Sequence, residues 1–453
     1  MKMKNPRVNI LNNSFLSNFM NKVFSDMIRE ILNIFNNLKN ISVDKKFVKD
    51  ITFNSDGRVL SYNVINGKKV MNLYEVSNKI NKKLEDKEVY VNLYNWFVNN
   101  IPNLPQDDLS KKCYVKTLIK RFIIISTRKF FEERDSEEIS EYLENIFNKE
   151  LNNEELEFVA KILFKGIVVK EPLSINLSNG TEIKIRRVNE NDLTEWINSP
   201  GYNKYMHPDS HMTLKIKKDS FYEAQEEIHR IENLLRLFDL GNIFYLCYYF
   251  ETTTLTNGTG GVFSLNNHPN EIPFYFLEKK DIKKLKNFLD NMLPLTNEKL
   301  SLHSTKNYLD IALKRYKDAL TDNSPSIRRL TLFIMGLEAL YLQSNSELKF
   351  RLSIKAALLL SNFSENPNDV FTNIKKAYDL RSKYVHGKMC KNQELNNLLL
   401  IIGNYLRKSI IIFLVSDKKE NFLHEIKTSL YDKNSSDKLT KKITNKLKKL
   451  YED

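Results

Sequence analysis

The residues best suited to chemistry lie in one short stretch, Asp379-Leu-Arg381-Ser382-Lys-Tyr-Val-His386-Gly387. Histidine titrates at about pH 6.5, so one imidazole can take or give a proton at neutral pH. Arginine keeps its charge and grips phosphate oxygens through a planar fork of N–H donors. Those two groups suit the cleavage of RNA, which carries its own nucleophile, the 2′-hydroxyl, beside the scissile phosphate. The reaction needs a base for that hydroxyl, positive charge on the phosphorane and an acid for the leaving 5′-oxygen. General acid–base help contributes roughly 10²–10⁴-fold, and a fixed charge at the developing oxyanion can contribute comparably. The sequence offers no cluster of carboxylates or histidines at ligand spacing, so neither a metal nor another cofactor is expected.

Spacing sets a difficulty. Five steps along an ideal helix separate Arg381 from His386 by about 7.5 Å along the axis and about 140° around it. On a straight helix the two do not converge. Gly387 offers a release, since glycine just past a helix end readily turns left-handed. A helix stopping at His386 would let the imidazole turn towards the guanidinium across a phosphate-sized gap. Spacing alone favours plainer accounts: such pairs arise by chance, a helix-terminal histidine suits the helix dipole, and an arginine can pair with a buried glutamate.

The elements that must position this stretch are mostly helical. Apolar spacing near 3.6 over residues 14–42 (Phe15, Phe19, Val23, Met27, Ile31, Phe35, Leu38) predicts an amphipathic helix. Asp56-Gly57 and Asn66-Gly67, flanked by Ile51, Phe53, Val59, Val64 and Val70, predict a small antiparallel meander. Residues 75–166 read as helical, interrupted at Pro102 and Pro105. Leu173, Ile175 and Leu177, then Asn179-Gly180, then Ile183, Ile185 and Val188 predict a hairpin. Further strands are expected near 214–216, 243–250 and 272–277, with a helix over Tyr222–Phe238 that Gly241 would cap. The NGTGG segment at 257–261 lacks the Lys-Ser/Thr of a phosphate loop and reads as a surface turn. From Tyr308 onward, helices are expected near 305–320, 325–343, 346–362, 366–385 and 391–416. The charged tail ends in a basic amphipathic helix, with Lys438, Lys441, Lys442, Lys446, Lys448 and Lys449 around Leu439, Ile443, Leu447 and Leu450. A solvated surface helix is the plainer reading there, and an electrostatic landing strip for RNA the sharper one.

Bulk properties narrow the class. A chain of 453 residues with 42% hydrophobic and 28% charged residues is globular, and long enough for two or three domains. The net charge of +14 favours phosphate polymers or anionic surfaces as partners. Cys113, Cys247 and Cys390 are scattered without a CxxC pair, as expected in a reducing cytoplasm. The N-terminus lacks the apolar core and small-residue cleavage site of a secretion signal. The most apolar stretch, Leu398 to Val415, is broken by Asn404, Arg407 and Lys408 and reads as a buried helix, so no spanning helix and no membrane partner are expected.

Arg381, four residues and His386, with polar Ser382 after the arginine, match the signature of the HEPN superfamily, and the region most closely resembles its Apea-like domains. The segment Arg328 to Tyr341, with Glu338 facing inward, looks like the first core helix of that family. Glu347 to Leu360, bearing Arg351, looks like the second; RSKYVHG ends the third, and Leu395 to Val415 closes the bundle. The resemblance is strong over about 305–416 and weaker over about 170–300, where LLRLFDLGN and LEKKDIKKLKNFLDNM are similar to segments preceding such domains. Residues 1–150 resemble nothing we can name.

The resemblance implies that Arg381 and His386 are catalytic and that Ser382 assists by orienting the phosphate or the histidine. It implies that Glu338 pairs with Arg351 or Arg381 to hold the bundle in register, with a purely structural ion pair the plainer account. Lys383 and Lys388 would bind the RNA backbone, although ordinary surface lysines explain them as well. Tyr384 would pack at a dimer seam or stack on a base, packing being favoured. Such domains dimerise, so that one histidine serves as base and the other as acid. Proteins of this kind act in bacterial defence, with the remainder of the chain sensing a phage-derived or protein trigger.

The expected fold is α+β: mixed helix/strand regions over 1–165 and 166–300, an all-α helical bundle over 301–418 and a basic helical tail over 419–453. The expected activity is that of a metal-independent endoribonuclease in the cytoplasm, an anti-phage or toxin effector. The competing expectation is a catalytically silent module of the same family that binds RNA, dimerises or senses. A third is a membrane-surface or protein-interaction factor using the basic tail, against which the lack of lipidation signals counts.

Overall fold

The computed structural model describes residues 14–38, 42–56, 58–71, 73–101, 107–132, 134–151, 156–198, 202, 207–218, 221–250, 261–263, 274–301, 307–322, 324–343, 347–386 and 392–452. The architecture is α+β, with the helices of the C-terminal third gathered in a bundle.

The N-terminal body consists of α1 (Ser14–Asn36), a hairpin of β1 (Ser42–Phe53) and β2 (Val59–Met71), and four further helices, α2 (Leu73–Leu84), α3 (Glu88–Asn100), α4 (Asp108–Phe131) and α5 (Ser136–Leu151). Helix α1 forms because its apolar residues recur on one face; Phe24, Met27, Ile28 and Ile31 are fully buried. Phe24 meets Trp96, Phe122 and Phe147 edge-on, which ties α1 to α3, α4 and α5 in a core of their own. Pro102 and Pro105 lie outside the described residues, but the helix does break there: Ile101 caps α3 and Asp107 caps α4. The expected meander is a single hairpin. Asn66 and Gly67 form no turn; they lie within β2, opposite a register shift in β1 between Asp44 and Lys46. The pairing of β2 with β1 overrides the turn preference of that dipeptide.

The middle of the chain builds a six-stranded antiparallel sheet from β3 (Leu156–Lys165), β5 (Leu173–Asn176), β6 (Glu182–Arg187), β7 (Ser210–Lys218), β8 (Phe244–Phe250) and β9 (Gly261–Phe263), in the order β5-β6-β7-β3-β8-β9. A short parallel pair joins β4 (Ile167–Val169) to β10 (Tyr275–Leu277). The expected helix over 75–166 therefore ends at Leu151. Residues 156–165 form an inner strand of the sheet, and the boundary expected at 165 moves before Leu156. The physical reason is period 2: Leu156, Phe158, Ala160, Ile162 and Phe164 alternate into the core. Asn179-Gly180 does turn the β5–β6 hairpin, with Gly180 at φ +83°. Of the NGTGG segment only Gly261 is described, at the start of β9.

Helix α6 (Glu190–Ile197) anchors the N-terminal hairpin: the Val48 N–H donates to Thr194 Oγ1 at 2.9 Å, and Val48 packs with Leu193 and Trp196. Helix α7 (Phe221–Phe238) lies on the sheet through Ala224, Ile228, Ile231 and Leu235. Gly241 is not its left-handed cap. It lies three residues beyond Phe238, where its missing side chain admits Tyr275; a Cβ would sit 2.9 Å from that residue's Cβ. The last carbonyls of α7 are satisfied by a side chain from the C-terminal bundle.

Helix α8 (Ile282–Lys299), unforeseen in the sequence, leads into the bundle: α9 (Tyr308–Thr321), α10 (Ser326–Tyr341), α11 (Leu348–Leu360), α12 (Pro367–Val385), α13 (Asn392–Val415), α14 (Lys419–Ser429) and α15 (Lys433–Tyr451). The boundary expected at 300 divides no core. The sheet, α7, α8 and the bundle helices bury their side chains in one continuous cluster. Arg407 of α13 seals that joint, donating from Nη1 to the carbonyls of Leu237 and Phe238 at 2.8 and 2.7 Å. The expected basic tail is no solvated appendage either: Leu439, Ile443, Leu447 and Leu450 are buried where α15 packs on α8, α13 and α14. By length and composition Leu395–Val415 is apolar enough to cross a membrane, yet 72% of its most apolar window is buried within the protein. It is the central helix of the bundle.

Candidate active site

Helix α12 carries the Arg/His stretch. It starts where Asn366 caps the Asn368 N–H and Pro367 occupies the first turn, where no backbone donor is needed. Val370, Ile374 and Ala377 bury its inner face against α10, α11 and α13. Arg381 follows Ala377 by one turn on the same flank and therefore faces α10. There its Nη1 donates to Glu338 Oε1 at 2.6 Å. The Tyr378 hydroxyl donates to the same oxygen at 2.6 Å, and the guanidinium lies 5.3 Å from the Tyr378 ring centroid. One carboxylate oxygen and a ring face thus fix the arginine, and the Tyr378 hydroxyl fixes the carboxylate. The choice between Arg351 and Arg381 as partner of Glu338 falls to Arg381; Arg351 is half-buried on α11.

Burial, and then the neighbouring Glu338 carboxylate, push the Tyr378 phenol up to about 12. Both make its ionised form costlier, so the hydroxyl stays a donor across the physiological range. The Arg381 and Glu338 side chains are 24% and 20% exposed, which leaves the arginine open to a ligand from solvent.

The last turn of α12 is uncovered. Ser382, Lys383, Tyr384, Val385 and His386 are all exposed. His386 caps the helix with φ −89° and ψ 17°, and its N–H donates to the Ser382 carbonyl at 3.1 Å. The helix ends at Val385 with His386 as its cap, as expected; the turn expected at Gly387 lies outside the described residues, and no hydrogen bond joins Arg381 to His386 among the described residues. Gly387 and Lys388 lie outside the described residues. Tyr384 is 41% exposed and joins neither large core among the described residues.

One chain therefore presents an anchored cation on the flank of α12 and an open imidazole at its tip, about 140° apart by helical geometry. A phosphate gripped by the remaining guanidinium donors would meet that imidazole only around the helix end. A single imidazole can serve as base or as acid, and a second copy would supply the other. Sequence reasoning missed Tyr378. Its signal was the i, i+3 spacing to Arg381, which places a tyrosine and an arginine side by side on a helix. No family model, no curated protein and no solved structure matches the chain.

Proposed function

We propose that this protein is a metal-independent endoribonuclease of HEPN type, acting as a homodimer in the cytoplasm. In this reading Arg381 holds the scissile phosphate and His386 moves the proton between the 2′-hydroxyl and the leaving oxygen. Ser382, exposed beside the arginine, orients the phosphate. The single observation that carries the reading is the anchoring of Arg381 by Glu338 at 2.6 Å, with Tyr378 donating to the same carboxylate oxygen and placing its ring against the guanidinium, on the same helix as an exposed histidine. A guanidinium held in place by one carboxylate, with its other donors open to solvent, suits a phosphate clamp. The net charge of +14 supports a polyanionic substrate. The role that goes with this reading is an anti-phage or toxin effector, with a phage-derived or protein trigger sensed by the N-terminal helices.

The test is RNA cleavage by purified protein in excess EDTA, with Arg381→Ala and His386→Ala alongside. Cleavage lost in both variants, with 2′,3′-cyclic phosphate ends from wild type, is the expected result. Equal cleavage by wild type and variants would overturn it. A second reading, a silent module that binds RNA or dimerises, is favoured by one observation: Arg381 is already paired with a carboxylate and does not meet His386 within one chain. On that reading both variants bind RNA as wild type does, and none cleaves it.

A further inference from the structure

We infer that the outer face of α12 is a track for single-stranded RNA that ends at His386; this rests on the ribonuclease reading above and names the form of its substrate. A shallow groove of about 420 Å³ runs along this face, lined by Phe371, Lys375, Lys376, Asp379 and Lys383. Phe371, Lys375, Asp379 and Lys383 recur every four residues, which keeps them in one stripe on the helix. His386 follows Lys383 by three residues, so the stripe runs on to the imidazole. From Phe371 to His386 it extends about 22 Å. The buried face of the helix, with Val370, Ile374 and Ala377, points the other way.

Charge selects the occupant. The carboxylate on the stripe, Asp379, is bound to Lys349 of α11 at 2.8 Å. Lys375, Lys376 and Lys383 lie half-buried to exposed along one edge, an arrangement that favours a polyanion. Aromatic rings select its form. Phe350 of α11 is 53% exposed and sits edge-on against Phe371, with centroids 6.0 Å apart. An exposed ring beside a row of lysines fits an unpaired base stacked next to its backbone, while a duplex keeps its base faces hidden. A polyanionic protein would find the lysines as attractive but would leave Phe350 without a stacking partner.

The experiment uses full-length His386→Ala, which the proposal makes inert, and measures its binding to a labelled single-stranded RNA and to the same sequence as a duplex. Preference for the single strand is expected. Adding Lys375→Glu and Lys376→Glu should weaken single-strand binding at least tenfold. It should also reduce the slope of log K against log salt by about 1.4, at about 0.7 for each phosphate that is no longer neutralised. Phe350→Ala should weaken binding by roughly fivefold or more with the slope unchanged. Unchanged affinity and slope in the lysine variant would overturn the track. So would duplex preference, or loss of self-association in place of loss of RNA binding, which would make this face a protein interface. The two readings fail separately. Cleavage by wild type with an unaltered KM in the lysine variant sinks the track alone. Absent cleavage with lysine-dependent single-strand binding sinks the nuclease alone. Circular dichroism of each variant checks the fold, which these solvent-facing positions should leave intact.

Discussion

Glu338 tests whether geometry or charge matters at the candidate site. Its Oε1 accepts from Tyr378 and from Arg381, each at 2.6 Å. Glu338→Gln keeps an acceptor of the same shape and removes only the charge. Hydrogen bonds to charged groups contribute about 1.5–3 kcal/mol and neutral ones about 0.5–1.5, so the Tyr378 bond loses about 1–1.5 kcal/mol, while the Arg381 bond keeps its charged donor. Because both charged side chains retain a fifth or more of their exposure, solvent screening brings this nearer about 1 kcal/mol. Glu338→Ala removes the acceptor altogether and leaves the Tyr378 hydroxyl and the Arg381 guanidinium to water, for a loss of about 2 kcal/mol. Urea unfolding should order the three proteins accordingly. If Glu338 acts by holding Arg381, Gln keeps cleavage within about fivefold while Ala loses about a hundredfold, the penalty for an ångström of misplacement. A Gln variant as inactive as Ala, with both folded, would mean that the charge itself takes part. An Ala variant with full stability and activity would refute the anchoring argument outright.

Three further outcomes follow from the same structure. In a spectrophotometric titration, the difference between wild type and Tyr378→Phe should show a phenol ionising near 12, since burial and Glu338 raise it; a raised phenol stabilises the fold below its unfolded value of about 10 and loses that contribution as pH climbs through 12, so the variant should resist alkaline unfolding relative to its own neutral stability. Gly166→Ala should cost more than about 3 kcal/mol in denaturant melts or prevent folding, because Gly166 has φ +93° and a Cβ there would lie 1.8 Å from the Asn242 carbonyl oxygen; Gly180→Ala, at φ +83° with open space around it, should cost only about 1–2. Arg407→Met should cost about 3 kcal/mol and raise hydrogen exchange in the last turn of α7, whose carbonyls at Leu237 and Phe238 it now caps; unchanged exchange there would show that the joint does not depend on this side chain.

Much of the bundle was legible because its signals are local. Asn366-Pro367 announces the start of α12, and the spacing of Val370, Ile374 and Ala377 fixes its inner face. The strand over Leu156–Lys165 was hidden because Leu163 and the long lysine side chains blur the alternation, and helix-favouring neighbours on the N-terminal side extend the wrong period. Arg407 read as a break in an apolar run. Its purpose lies in another element, at the end of α7, and no pattern within α13 can reveal it. The amphipathic stripe of α15 was visible, but what covers it, α8 and α13, depends on tertiary packing. At the site, the sequence supplied Arg381, His386 and Glu338. It could not supply the choice of Arg381 over Arg351 as the carboxylate's partner, which is set by how α10 and α12 cross.

That crossing is in turn set by the sheet. The N-terminal helices bury a core of their own around Phe24, whereas the sheet and the bundle share one. Within the shared core, Glu232 and Arg236 of α7 form an ion pair at 2.7 Å that is almost fully buried, and Tyr316 of α9 donates to the Arg236 carbonyl at 3.0 Å. Helix α9 packs on α10, and α10 packs on α12. Close-packed cores transmit displacement because their side chains have few alternative arrangements. A cavity cut in α7 should therefore disturb the Glu338–Arg381 distance more than an equally costly cavity cut in α1, where a separate core absorbs it. The geometry of the Glu338–Arg381 pair is thus a property of residues 156–451 together, and a fragment beginning at the expected boundary of 301 would lose the sheet and α7 that hold α9, α10 and α13 in place.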